Sequence, residues 1–288
     1  MDTIRILALA TLSIIYSSAH ALNNDEIYEK MRALDWKKVA GTYEINKTNS
    51  SVTTNSNEIL VLGDEAHKYL ALLEGHNSYR PDAVIVRVQG DATDSQVIYT
   101  YSEIGYVKMD DWEDHINKDE LLETIRNSTN EANKIRAEGY PRLFVDKWLQ
   151  EPYLDKENAI IYWAILGHNS DGYEFVNAKA LKLGRDGFTE IIWLGSVDKY
   201  TGTNSSLSPT LAAYEYNDGA KYADFVEGQH KVAAVGAGAL AYKLITGKNA
   251  KAVGAGIIAA ILLFLKKFWF VVLIPFVYGW KKLVKKES

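Results

Sequence analysis

Apolar residues alternate with polar ones along some stretches of the chain and recur every three to four positions along others. These two rhythms separate expected strands from expected helices. Residues 83–88 and 96–101 are β-branched and aromatic, and the polar loop Gly90-Asp-Ala-Thr-Asp94 between them predicts a hairpin. Four further strand-like runs follow at 142–153, 159–167, 173–184 and 187–197, and Gly184-Arg-Asp-Gly187 makes the tight turn between the last two. Such a succession predicts an antiparallel meander. Shorter strands are expected at 39–45 and 58–62, with the Asn/Ser/Thr tract 46–57 as a loop or exposed hairpin. Helical spacing places Ile27, Met31 and Leu34 on one face within 25–38, and Ala66, Tyr69, Leu70 and Leu73 on one face within 64–75. The strongest helical pattern opens at Asn117, a capping residue with Glu120 placed to reach back. Leu121, Ile125, Ser128, Ala132 and Ile135 follow at intervals of 4, 3, 4 and 3, and Gly139 and Pro141 supply the stop. Ser208-Pro209 is expected to open a last helix running through Ala212, Tyr216 and Tyr222 to Phe225. The expected class is α+β, an antiparallel-sheet-rich soluble domain followed by a C-terminal transmembrane helix.

Both ends of the chain break these rhythms. Arg5, the apolar run 6–16 and the A-x-A site of Ala19, His20 and Ala21 read as a secretory signal cleaved after Ala21, the alternative being an uncleaved anchor. At the other end, 252–280 is apolar apart from Lys266 and Lys267. A bilayer core of about 30 Å needs about 20 apolar helical residues, so one tilted span is expected, its lysines snorkelling and Pro275 as a kink. The alternative is a pair of half-buried helices lying in the interface. Phe268, Trp269, Tyr278 and Trp280 are the aromatic anchors expected at a headgroup boundary. The chain thus divides into a signal peptide (1–21), an exported domain (22–228), and a small-residue helix with anchor and basic tail (229–288). That last part contains an echo: Val235-Gly-Ala-Gly-Ala-Leu-Ala-Tyr-Lys-Leu244 returns as Val253-Gly-Ala-Gly-Ile-Ile-Ala-Ala-Ile-Leu262, eighteen residues on. Small-xxx-small spacing at Ala252, Gly256 and Ala260 points to a homo-oligomer or a helical hairpin, or else to small-residue filler.

Charge sharpens this division. Residues 22–230 carry 21 Lys and Arg against 35 Asp and Glu, whereas 231–288 carry 10 Lys against Glu287 alone. An acidic globule argues against nucleic acid as a partner, and a basic apolar tail argues for a membrane. The orientation expected is a bacterial inner-membrane protein with its soluble domain in the periplasm and Lys281, Lys282, Lys285 and Lys286 inside. The chain has no cysteine, which removes disulfides, thiolate nucleophiles and Cys-ligated metals.

Several short blocks occur in a recognisable order: Gly105-Tyr-Val-Lys-Met-Asp-Asp111, Gly139-Tyr-Pro141, Trp148 with Pro152-Tyr-Leu-Asp155, Tyr162-Trp163, Leu183-Gly-Arg-Asp-Gly187 and Tyr222-Ala-Asp-Phe225. From Tyr99 to the C-terminus this series resembles the uncharacterised membrane-anchored bacterial family known as domain of unknown function 2167. The resemblance implies an exported, tail-anchored envelope protein and no particular activity.

For chemistry, Asp110, Asp111, Glu113, Asp114, His115, Asp119 and Glu120 form an acidic cluster with a histidine. Asp111 and His115 are four apart and could share a helical face that meets a divalent metal; the competing reading is acidic residues gathered at a helix start. No EF-hand or His-Glu-x-x-His pattern is present, so neither a metal nor any cofactor is expected. His67, His76, His115 and His168 lack a Gly-x-Ser-x-Gly elbow to serve. Tyr99, Tyr101, Tyr106, Trp112, Trp148, Tyr162 and Trp163 could line a carbohydrate or peptide groove, or fill sheet faces. The leading expectation is a membrane-anchored, non-enzymatic module that binds a protein or cell-wall ligand. The alternative is an envelope-polymer hydrolase working through Asp110 and Asp111.

Overall fold

The computed structural model describes residues 24–74, 80–89, 92–134, 141–200 and 207–246. The signal-like segment with Ala19 and Ala21, Gly139, and the apolar stretch 252–280 lie outside these residues. Among the described residues no helix is long and apolar enough to cross a membrane.

A seven-stranded sheet forms the body, and every pairing in it is antiparallel. Its strands are β3 (Glu58–Leu62), β4 (Ala83–Gln89), β5 (Ala92–Ser102), β6 (Leu143–Asp155), β7 (Ile160–Asn169), β8 (Glu174–Leu183) and β9 (Phe188–Ser196). The order is β3-β4-β5-β9-β8-β7-β6, so the predicted hairpin and the predicted meander meet through β5 and β9. Alternation along β9 shows how the faces are used. Ile191 and Trp193 enter one core, Phe188 a second, and Ile192 and Leu194 a third.

The first core is closed by a second, three-stranded sheet built from β1 (Gly41–Ile45), β2 (Ser50–Thr54) and β10 (Tyr214–Tyr216), in the order β1-β2-β10. This corrects two expectations. The tract 46–57 is not merely an exposed hairpin, because Ser50, Val52 and Thr54 are buried in the sheet interface. Nor is 208–225 one helix: the helix Leu207–Ala212 stops, Tyr214–Tyr216 pairs with Ser50–Val52, and Asn217-Asp-Gly219 turns the chain away. Tyrosines at alternating positions are strand pattern, and their rings stack on the large sheet, Tyr214 on Tyr99 at 5.5 Å.

On the opposite face, α1 (Asn24–Arg32) and α2 (Gly63–Glu74) lie at the β3–β4 side. α3 (Trp112–His115), α4 (Lys118–Lys134) and α6 (Ala237–Thr246) lie at the other, α5 being Leu207–Ala212. Asn117 accepts the Glu120 N–H at 3.2 Å, as the capping pattern predicts. The buried stripe of α4 runs Leu121, Ile125, Thr129, while Ser128 is exposed. Thr129 is tolerated inside because its hydroxyl donates to the Ile125 carbonyl at 2.8 Å.

The segment from 229 to 246, assigned on sequence to the tail, is built into this body. Ala237, Leu240, Ala241 and Leu244 of α6 are buried in the second core with Ile161, Trp163, Leu181 and Phe188. Eight of the ten residues of α6 are buried, which is the property of a helix packed on several sides.

Candidate functional site

The acidic cluster resolves into a joint between distant parts of the chain. Asp111 precedes α3, and its carboxylate accepts the Gly238 N–H at 2.8 Å and the Ala239 N–H at 3.1 Å. These are N–H groups in the first turn of α6, which have no partner inside the helix, so a carboxylate there satisfies donors and complements the helix dipole. His115 Nε2 stands 3.6 Å from Asp111 Oδ2, and the Lys108 carbonyl accepts the Ala237 N–H at 2.8 Å. The approach demands glycine: a Cβ on Gly236 would sit 2.4 Å from the Asp111 carboxyl carbon, and one on Gly238 would sit 2.4 Å from the Asp111 carbonyl oxygen. Asp111 and His115 do come together, but around a helix end. Asp110 is exposed and does not join them. Among the described residues no group of three or more His, Asp or Glu side chains converges as metal ligation would require.

Of the charge pairs absent from the sequence reading, two bear on possible chemistry. Lys179 Nζ lies 2.6 Å from Glu190 Oε1, with both side chains less than one-tenth exposed and the Trp163 ring 5.9 Å from the ammonium. The contact is close but poorly aimed as a hydrogen bond. Register explains it: Lys179 faces Ile192 and Glu190 faces Leu181 across the hairpin, so the two are diagonal neighbours on one face. Opposite charges at similar distances from the Gly184–Gly187 turn were the available signal. The second pair is His168 Nδ1 and Asp146, at 2.9 and 3.0 Å to the two carboxylate oxygens, with the Phe144 ring stacked on the imidazole at 5.0 Å. Both partners are over one-third exposed, and no hydroxyl nucleophile is seen bonded to the ring among the described residues.

The aromatic residues do not form one groove. Tyr99, Tyr101 and Tyr162 belong to the first core, while Trp112, Trp148 and Trp163 belong to the second on the opposite face of the sheet. Tyr106 stacks instead between Tyr222 at 4.4 Å and Phe225 at 3.8 Å. Between the sheets, the Thr189 hydroxyl bonds the Tyr214 hydroxyl at 2.6 Å and the Tyr216 hydroxyl at 2.9 Å. Burial pushes the Tyr216 phenol well above its usual range, so it stays protonated and donates to the Lys182 carbonyl at 3.0 Å. Burial likewise lowers the Lys182 and Lys243 ammonium groups.

A family profile matches residues 37–277, taking in both sheets, α6 and most of the apolar stretch. The chain belongs to the family described as "Protein of unknown function (DUF2167)". No curated protein matches the chain. Among solved structures, the family member is similar to the solution structure of cyanobacterial PsbP (CyanoP) from Synechocystis sp. PCC 6803, at 14% identity and a TM-score of 0.37. That match covers 69% of this chain and 98% of the other, and a likeness of this degree assigns nothing to the residues above.

Proposed function

We propose that this protein is a membrane-tethered, non-enzymatic module of the bacterial cell envelope, its acidic globule outside the cytoplasm and engaged with a protein or cell-wall ligand. The observation that carries the reading is the placement of α6. It is packed into the globule's own core, yet it ends at Thr246, six residues before the apolar stretch 252–280 begins. A span starting there is joined to the folded body by a short segment and not by a long free linker. The family profile spans 37–277 and so takes in the same junction, which supports treating globule and tail as one unit. The hydrolase reading lacks a comparable support, because the Asp111 carboxylate is committed to backbone N–H groups of α6.

The test is fractionation of cells making the full chain or a chain ending at Thr246. The full chain is expected to remain with membranes through high salt and alkaline washes, since a span does not depend on screened lysine–lipid attraction. The shorter chain is expected in the soluble periplasmic fraction. Release of the full chain by salt alone overturns the tether.

A further inference from the structure

Two sheets leave four strand edges, and three of them meet a partner from elsewhere in the chain. On the large sheet, Lys37 exchanges both ladder hydrogen bonds with Leu60 of β3, at 2.8 and 3.0 Å. At the other edge Asn133 and Arg126 of α4 bond to the backbone of β6. On the small sheet, Lys182 Nζ donates to the Tyr214 carbonyl of β10. The fourth edge is β1. Thr53 donates to the Ala213 carbonyl and Asn217 to the Asn49 carbonyl, so odd-numbered positions here turn their backbone groups towards β10. The even-numbered ones, Ser50, Val52 and Thr54, therefore bond to Ile45, Tyr43 and Gly41 of β1. That leaves the N–H and C=O groups of Thr42 and Glu44 aimed away from the sheet. Among the described residues nothing bonds to them. The register from 41 to 45 has no shift, and no proline, lysine or bulge blunts the strand.

The surroundings of this edge have a definite chemistry. On its inner side a Cβ at Gly41 would meet only the Tyr43 ring, at 4.0 Å, and Val39, 74% exposed, precedes the strand. On its outer side the exposed Glu44 and Glu215 flank Ser51 across the small sheet. Residues 22–230 carry 35 Asp and Glu against 21 Lys and Arg, which disfavours a second copy of the chain as occupant.

We propose that β1 is the docking edge for an extended basic segment of a partner protein, which adds a fourth strand to the small sheet. Backbone pairing to Thr42 and Glu44 holds the segment, while a Lys or Arg opposite Glu44 and an apolar side chain beside Tyr43 select it. This names the partner class for the binding module proposed above and rests on that reading. Its readout lies at two amides and not in membrane retention, so the two fail separately.

The probe is the peptide acetyl-Thr-Val-Lys-Val-Thr-Leu-Thr-amide, added to the full chain in mild detergent, with amide exchange followed by NMR. The Thr42 and Glu44 amides are expected to exchange at least about tenfold more slowly with peptide bound, whereas Tyr43 and Ile45, already bonded to β2, change little. Replacing the peptide's lysine with glutamate is expected to weaken binding about threefold to tenfold, and Glu44→Lys to reverse that preference. Thr42→Pro removes one outward N–H and no bond to β2, so cooperative melting is expected to persist while peptide affinity falls. A further measure leaves the protein unaltered. N-methylation of the peptide's lysine and central threonine, which face β1, is expected to abolish binding; N-methylation of its two valines is not. The proposal is overturned if those two amides are not slowed, if lysine and glutamate peptides bind alike, or if both methylated peptides bind alike. It is also overturned if raising the protein concentration alone slows the two amides, which makes a second copy the occupant.

Discussion

Asp82 shows how one side chain sets a pH dependence. It is buried, with Oδ2 accepting the Tyr101 N–H at 2.7 Å and the exposed Lys47 ammonium only 3.8 Å from Oδ1. Burial raises its pKa above the ordinary value, and the hydrogen bond and Lys47 offset this only in part. The folded state therefore binds this proton more tightly than the unfolded chain does. Stability from this group is present below the ordinary aspartate range and is lost as pH rises through the raised value. Asp82→Asn keeps an oxygen for Tyr101 and removes the charge. It is expected to melt above the wild type at pH 7, with the difference shrinking as pH falls towards 3. A difference that grows on acidification contradicts the assignment. The buried Lys179–Glu190 pair predicts a different pattern. Removing one partner leaves an uncompensated charge and should cost roughly 3–5 kcal/mol, whereas Lys179→Met with Glu190→Leu should cost less than either single change. Urea midpoints of the three variants decide it.

At the level of elements, β6 is one of the two edges of the large sheet, and side chains of α4 bond to its backbone. Asn133 Nδ2 donates to the Leu143 carbonyl at 2.7 Å, and its Oδ1 accepts the Leu143 N–H at 3.0 Å. Arg126 donates to the Val145 carbonyl at 3.2 Å and also to that of Asp146. An edge strand left bare is a template for pairing with other chains. Asn133→Ala is expected to destabilise by about 1–3 kcal/mol and to speed hydrogen exchange at the Leu143 amide while the β8–β9 amides stay protected. Much of this architecture was legible: the meander 142–197 has β-branched alternation and glycine turns, and α4 has both a cap and a stripe. What was not legible depended on distant partners. Tyr214 and Tyr216 fit a helical count as well as a strand count, and only β2, more than 150 residues earlier, decides between them. Ser128 and Thr129 are adjacent, and the twist of α4 over β6 selects the second.

For the whole molecule, α6 belongs to the packed body, although its small-residue sequence groups it with the segment 229–288. A chain ending at Gly228 lacks α6, and with it Leu240 and Leu244, each contributing roughly 1.5–3 kcal/mol when fully buried. That is a large part of a typical domain stability of about 5–15 kcal/mol. The chain ending at Thr246 is therefore expected to unfold cooperatively in urea, and the one ending at Gly228 to show a broad transition and bind a hydrophobic dye. Similar midpoints for the two would place α6 outside the cooperative unit. The candidate chemistry was hardest to read for the same reason. Asp111 was visible as a carboxylate beside a histidine, but its partners lie 127 and 128 residues away in a stretch legible only as a small-residue echo of the apolar tail.

That separation has a consequence for synthesis. As the chain is made, the large sheet can be complete by Ser196, but the helix that Asp111 holds is not available until residue 246 has emerged. Contacts of such long range are slow to form, and in a nascent chain that stops short of α6 the second-core residues it covers, Ile161, Leu181 and Phe188 among them, lack that partner. Apolar surface left open in this way is what makes a nascent chain prone to aggregate, and docking of α6 on Asp111 removes it.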